Sequence, residues 1–270
     1  CIRKPCIMNN TKKVLITGAG TGIGRALSIE AAQKGFELIL VGRTSSTLDE
    51  TRSKCNANKI QCIVADVTSP EGRMLIVDAI AGSLDILINN AGVLSVGHLA
   101  DMTDLDLERM TTTNLVAPMA LTRDLLPALR KSKGRIVSIG SVFGDIAYPF
   151  FAGYSATKFG LRGFSDAMRR ELSGADIGVT YIAPRATRTA AESVFSALVE
   201  PMDMTLDSAE VVSTQAWEAI LKGKRESFPK GKERFFVKVQ RLLPSLVDKS
   251  VGAQARDPRT LAALNPEAKP

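Results

Sequence analysis

Short apolar runs alternate along this chain with longer stretches in which apolar residues recur every three or four positions. The runs are Val14–Thr17, Glu37–Val41, Ile60–Ala65, Leu84–Asn89, Gly134–Ile139 and Ile177–Ile182. Rich in Val, Ile and Leu, they read as strands buried on both faces. The stretches near 23–34, 46–55, 70–81, 103–130 and 153–173 read as helices. Such alternation predicts an α/β fold, a doubly wound parallel sheet with helices on both faces. No internal repeat, low-complexity block or Pro/Gly-rich linker interrupts it, which predicts a single domain over 1–270. Past Pro184 the pattern weakens. Residues 185–206 read as loop or short helices, 208–221 as a helix and 224–230 as a brief strand. Apolar residues at 235, 236, 239, 242 and 243 then share one side, with Arg234, Lys238 and Arg241 on another. This is an amphipathic helix that Pro244 ends or kinks, and it reads as a cover for a cleft or for a subunit partner, with association to a lipid surface as the alternative. Residues 1–11 read as an N-terminal extension, with Met8 placed like a natural start, and 253–270 as a mobile tail.

The first strand runs into Thr17-Gly18-Ala19-Gly20-Thr21-Gly22-Ile23-Gly24 and then into a helix. A pyrophosphate must approach backbone amides at a helix N-terminus, where a Cβ would block it. Four glycines at this place predict a Rossmann-like dinucleotide site; an ordinary strand–turn–helix link is the alternative. The second strand ends Leu40-Val41-Gly42-Arg43-Thr44-Ser45, with no acid before Asp49. A carboxylate there would accept from a ribose 2′-hydroxyl; an arginine instead pairs with a 2′-phosphate. The expected cofactor is therefore NADP(H).

Three further segments place polar residues at strand ends, where ligands bind a doubly wound sheet. They are Asn89-Asn90-Ala91-Gly92, Ser141, and Tyr154-Ser155-Ala156-Thr157-Lys158. Tyr154 and Lys158 are four apart and share a helix face. Ser141 and Tyr154 can converge on one carbonyl oxygen. Hydride transfer to a carbonyl builds charge on that oxygen, which calls for a proton donor and a polarising group. A neighbouring ammonium would favour the phenolate and lower the tyrosine pKa.

Composition narrows the choice. Hydrophobic residues make 45% and charged residues 23% of 270, which excludes a disordered chain, a collagen and a disulfide-stapled miniprotein. No apolar run reaches the roughly 18 residues of a membrane span. The net charge of +7 is uneven: residues 1–13 carry +4 and 222–241 carry +6, leaving a slightly acidic body. That is not the pattern of a nucleic-acid binder. The basic ends read as solvated faces, or as contacts for anionic lipid or an acidic partner. Cys1, Cys6, Cys55 and Cys62 with the single His98 form no metal-ligand spacing, so no metal is expected. Free cysteines point to a reducing, cytoplasmic setting.

The order and spacing of these motifs over about residues 12–189 resemble the classical short-chain dehydrogenase/reductase family. The matches are TGxxxGIG at Thr17–Gly24, Asp66-Val67, NNAG at Asn89–Gly92, Asn114, Ser141 and YxxxK at Tyr154–Lys158. The resemblance implies Tyr154 as acid/base, Lys158 holding the nicotinamide ribose and lowering the Tyr154 pKa, and Ser141 orienting the carbonyl. Asn114 would hold a water in a proton relay. It also implies cofactor contacts at Gly18, Thr21, Gly22, Ile23, Gly24, Arg43, Asp66 (with adenine), Val67, Asn89, Ala91, Gly92, Tyr154, Lys158, Pro184, Thr187 and Thr189. A homodimer or homotetramer, a lid within 185–252 and a small carbonyl or alcohol substrate follow by the same analogy. Val142, Phe143, Ile146, Tyr148, Phe150 and Phe151 suggest an apolar pocket wall. Pro184-Arg185 stands where the family has Pro-Gly; Arg185 or Arg188 would bind an anionic group on the substrate or the cofactor pyrophosphate, or Arg185 would simply point outward. The competing readings are a non-catalytic NADP-binding sensor or scaffold, and a membrane- or partner-docking protein acting through its basic ends.

Overall fold

The computed structural model describes residues 11–57, 59–231 and 233–264. The charges and cysteines of residues 1–10 lie outside them. The first half builds β1 (Lys13–Thr17), α1 (Gly22–Gln33), β2 (Glu37–Gly42), α2 (Ser45–Lys54), β3 (Ile60–Val64) and α3 (Pro70–Ile80). There follow β4 (Ile86–Asn89), α4 (Asp104–Thr111), α5 (Ala117–Ser132), β5 (Arg135–Ile139), α6 (Ala152–Glu171) and β6 (Gly178–Ile182). The remainder forms β7 (Thr187–Arg188), α7 (Ser196–Val199), β8 (Asp207–Ser208), α8 (Ala209–Leu221), β9 (Glu226–Ser227), α9 (Glu233–Leu242), α10 (Pro244–Ala255) and α11 (Pro258–Leu264).

Seven strands make one sheet in the order β3-β2-β1-β4-β5-β6-β9, every pair parallel. The chain winds outward from β1 to β3, then returns to lay β4 on the other side of β1. The switch point therefore lies between β1 and β4, and the glycine loop and the Asn89–Gly92 turn meet there. The period of two in side-chain direction divides each strand between two cores. Val14, Ile16, Leu38, Leu40, Ile86 and Ile88 pack under α1 and α8, with Trp217 fully buried among them. Leu15, Ile39, Val41, Leu87 and Ile136 face α3, α5 and α6 on the other side. Trp217 stacks on Phe36 at 5.0 Å and donates from Nε1 to the Leu27 carbonyl at 3.0 Å.

One expectation gains a detail and another needs correction. The helix read over 103–130 runs from Asp104 to Ser132 and widens into a π-type turn, Thr112–Val116, between α4 and α5. Its cause is in the sequence. Pro118 has no N–H for the carbonyl of Asn114 four residues earlier, and its ring crowds that carbonyl. The tail expected to be mobile from 253 begins as helix. α10 and α11 continue to Leu264, Thr260 is buried, and α11 packs beside α7. Pro258 opens α11 at a position where proline is favoured, a signal that was there to read. Residues 265–270 lie outside the described ones.

Candidate active site

A groove of about 600 Å³ crosses the switch point. Its floor is the glycine loop. Gly18 and Gly22 sit at φ of +64° and +51°, values that side chains resist. A Cβ on Gly24 would lie 2.1 Å from the Gly18 carbonyl, so this glycine permits the helix to cross its own loop. The loop is held from outside. Asn90 donates through Nδ2 to the Thr17 carbonyl at 2.8 Å, and its own amide donates to Thr17 Oγ1 at 3.0 Å. Arg25 and the buried Thr51 donate to the Gly20 and Ala19 carbonyls respectively.

Gly18, Thr21, Gly22, Ile23, Gly24, Arg43, Asp66, Val67, Ala91, Gly92 and Thr189 line this groove. Asp66 accepts from the Thr68 amide and hydroxyl at 2.9 and 2.7 Å. Burial works against its charge, but those bonds and the neighbouring Arg43 hold its carboxyl below the usual range. Arg43 is exposed and has no hydrogen-bond or ion-pair partner among the described residues. Asn89 does not reach the groove: it is buried and donates to Thr122 Oγ1 at 3.1 Å. Its neighbour Asn90 holds the loop instead, a role that the shared Asn-Asn sequence did not distinguish.

A smaller cleft of about 190 Å³ opens from the inner end of the groove, sharing Ile23, Gly92 and Thr189 with it. Ser141, Tyr154, Lys158, Pro184 and Thr187 line it, with Phe143, Phe151, Phe195 and Met204 as apolar walls. Ser141 lies two residues past β5, and its Oγ accepts from the Phe143 amide at 3.1 Å. Phe143 stands edge-on to the Tyr154 ring at 6.3 Å. Lys158 is buried one helical turn beyond Tyr154, its Nζ 5.5 Å from the ring centre and donating to the Ile139 carbonyl at 3.0 Å. Asn114 is also buried. It accepts from the Val93 amide and donates to the Val93 carbonyl, each at 2.8 Å, and donates to Thr157 Oγ1 at 3.2 Å. A Cβ on Gly92 would lie 3.2 Å from Asn114 Oδ1 and 3.7 Å from Lys158 Nζ. Those three positions therefore converge. Thr157, which carries Asn114 onto α6, went unnoticed between the tyrosine and the lysine.

Burial decides the titration of the pair. It pushes the Tyr154 phenol up to about 12, against a smaller opposing contribution from the Ser141 hydroxyl. It pulls the Lys158 ammonium down to about 8. The expected lowering of the Tyr154 pKa by Lys158 is absent here, because the ammonium is committed to a backbone carbonyl and burial dominates. Tyr181 supports the site from beneath. Its hydroxyl lies 3.3 Å from both the amide and the carbonyl of Ser141, and a Cβ on Gly140 would meet its ring at 2.1 Å.

Arg185 also lines the cleft, and its guanidinium is paired within the chain. It donates from Nε to Asp207 at 2.9 Å, from Nη1 to Glu233 at 2.5 Å and from Nη2 to the Lys230 carbonyl. Its charge is matched within the chain, and it staples the segments after β6 together. Those segments add the two-stranded sheet of β7 and β8 and bring Phe195 and Met204 to the cleft.

A model of the short chain dehydrogenase family matches residues 12–197, more than half of the chain. The chain belongs to the short-chain dehydrogenase/reductase family. Among curated members it is 36% identical to dehydrogenase/reductase SDR family member 7B of Bos taurus, over 63% of this chain and 56% of that protein. It is 36% identical to the ketoacyl reductase HetN of a Nostoc species, over 64% of this chain and 62% of that protein. The matched stretch thus spans less than two thirds of these relatives. Among solved structures, a short-chain dehydrogenase from Sphingobium yanoikuyae in complex with NADPH superposes with a TM-score of 0.73 at 27% identity, covering 88% of this chain and 96% of that one. A short-chain dehydrogenase from Streptomyces avermitilis, 24% identical with a TM-score of 0.77, shares the fold over 92% of this chain and 98% of its own.

Proposed function

We propose that this short-chain dehydrogenase/reductase is an NADP(H)-dependent oxidoreductase that interconverts an apolar carbonyl compound and its alcohol. The observation that carries the reading is the meeting of Ser141, Tyr154 and Lys158 in one cleft that opens onto the glycine-floored groove. The groove fits a dinucleotide: its loop has glycines where Cβ atoms would clash, and its far end presents an unpaired guanidinium at Arg43. Gly18 to Gly24 would hold the pyrophosphate, Asp66 the adenine, Arg43 a 2′-phosphate and Lys158 the nicotinamide ribose. A bound nicotinamide supplies or accepts the hydride. The rest falls to this chain. With a pKa of about 12, Tyr154 carries its proton at neutral pH and can donate it to the carbonyl oxygen. The Ser141 hydroxyl orients that oxygen. Asn114, fixed by Val93 and Thr157, supports a proton path behind α6. Phe143, Phe151, Phe195 and Met204 favour an uncharged substrate, and the charge of Arg185 is already matched.

The test is oxidation of NADPH and of NADH against a panel of apolar aldehydes, ketones and quinones. Turnover is expected with NADPH and an apolar carbonyl. Tight NADPH binding without turnover on any member would favour a sensor.

A further inference from the structure

Helix α9 lies against the body beside the cleft and is fixed at both ends. Glu233 accepts from Arg185 at its start, and Arg241 in its last turn donates to the buried Asp145 at 2.9 Å. Between them Val237 is buried in one cluster with Ile146 and Val247. One side of α9 is thereby the inward side. The opposite side of a helix that merely covers a core should be polar. Here it is not. Phe235 and Leu242, seven residues apart and so on one stripe, are 65% and 77% exposed. Phe236 is exposed beside Phe235, the two rings edge to face at 5.9 Å. The chain turns at Pro244 into α10, and Leu243 and Leu246 are both more than half exposed at that corner. Arg234, Lys238 and Lys249 are exposed around these residues, and the acid between 234 and 249 is Asp248 alone.

We propose that the corner formed by α9 and α10 docks this protein onto an anionic lipid surface. Phe235, Phe236, Leu242, Leu243 and Leu246 enter the boundary of headgroups and acyl chains, while Arg234, Lys238 and Lys249 pair with headgroup anions. Two features select lipid. Exposed Phe and Leu side chains flanked by exposed Arg and Lys are the composition of a helix that lies in a bilayer interface. A second copy meeting this face about a two-fold axis would set like charges against each other, whereas anionic headgroups complement them. Among the described residues no helix is long and apolar enough to cross a membrane. Arg185, the anchor of Glu233, lines the substrate cleft, which places docked lipid beside its mouth.

The experiment is sedimentation of the whole chain with vesicles of phosphatidylcholine alone or mixed with phosphatidylserine. It needs no enzymatic readout, so its outcome is independent of the reaction proposed above. The protein is expected to bind the mixed vesicles and to be released by salt. The double substitution Arg234→Gln, Lys238→Gln should weaken binding about 25-fold, at about 1 kcal/mol for each cation. Phe235→Ser with Leu242→Ser should abolish binding while the melting temperature stays unchanged, since both side chains face solvent. No binding to the mixed vesicles, or binding unaffected by both pairs of substitutions, overturns the proposal. So does a dimer that the serine variant abolishes in a protein that ignores vesicles, because a second copy would then cover the face.

Discussion

Arg43 is the side chain through which we propose that NADP(H) is selected. It stands just past β2 with no partner among the described residues, next to an Asp66 already held by Thr68. A charge-assisted pair with a 2′-phosphate contributes about 1.5–3 kcal/mol, so Arg43→Ala should lower the NADPH-over-NADH preference at least tenfold. Fluorescence titration with both cofactors measures this, and an unchanged ratio would remove Arg43 from the assignment. The residue scale is also where the sequence was most legible. Glycines 18, 22 and 24 are recognisable because backbone sterics admit nothing else there. Tyr154 and Lys158 are recognisable because helix geometry puts residues four apart on one face. Asn89 was misplaced because adjacent asparagines at a strand end point in opposite directions, and the choice between them depends on the strand register.

At the scale of elements, what escaped sequence reading depends on partners distant in the chain or on exceptions to regular structure. The six long strands announced themselves through continuous apolar runs. Strands of two residues such as β7 and β8 carry no periodicity to read, and Arg185 finds its partners at Asp207 and Glu233. Removing a partly buried cation leaves two carboxylates facing each other. Arg185→Met should therefore destabilise the fold by about 3 kcal/mol in urea unfolding, whereas an anion-binding role would leave stability intact. The π-type turn was legible in principle through Pro118. Pro118→Ala would return a donor to the Asn114 carbonyl and draw the turn toward a regular helix. Turnover is expected to fall about tenfold with no loss of melting temperature, because the substitution removes a misfit while displacing Asn114. Equal turnover in the variant would show that the turn does not serve Asn114.

At the scale of the whole molecule, the buried Lys158 couples the candidate site to the stability of the fold. Lys158 has its pKa lowered to about 8, against about 10.4 in an unfolded chain. Between those values the unfolded chain binds a proton that the folded one does not, so stability rises with pH from about 8. Tyr154, raised to about 12, acts oppositely above about 10: the unfolded phenol ionises first, and stability falls. Burial raises the Cys55 thiol to about 11 and also raises Cys62, which lowers stability over the same range, so the Lys158 contribution is read as a difference from a variant without the ammonium. The denaturation midpoint of the wild type should gain on that of Lys158→Met between about pH 8 and 10, and a constant difference across that range would remove Lys158 as the source.

Tyr154 is the group proposed to move the proton. The most direct measurement compares the wild type with Tyr154→Phe for NADPH binding and for single-turnover reduction of the best carbonyl found in the panel. Binding should survive, since the glycine loop, Arg43 and Asp66 are untouched, while the rate falls by about 10²–10⁴. A phenylalanine variant that reduces the same carbonyl at the wild-type rate would contradict the assignment.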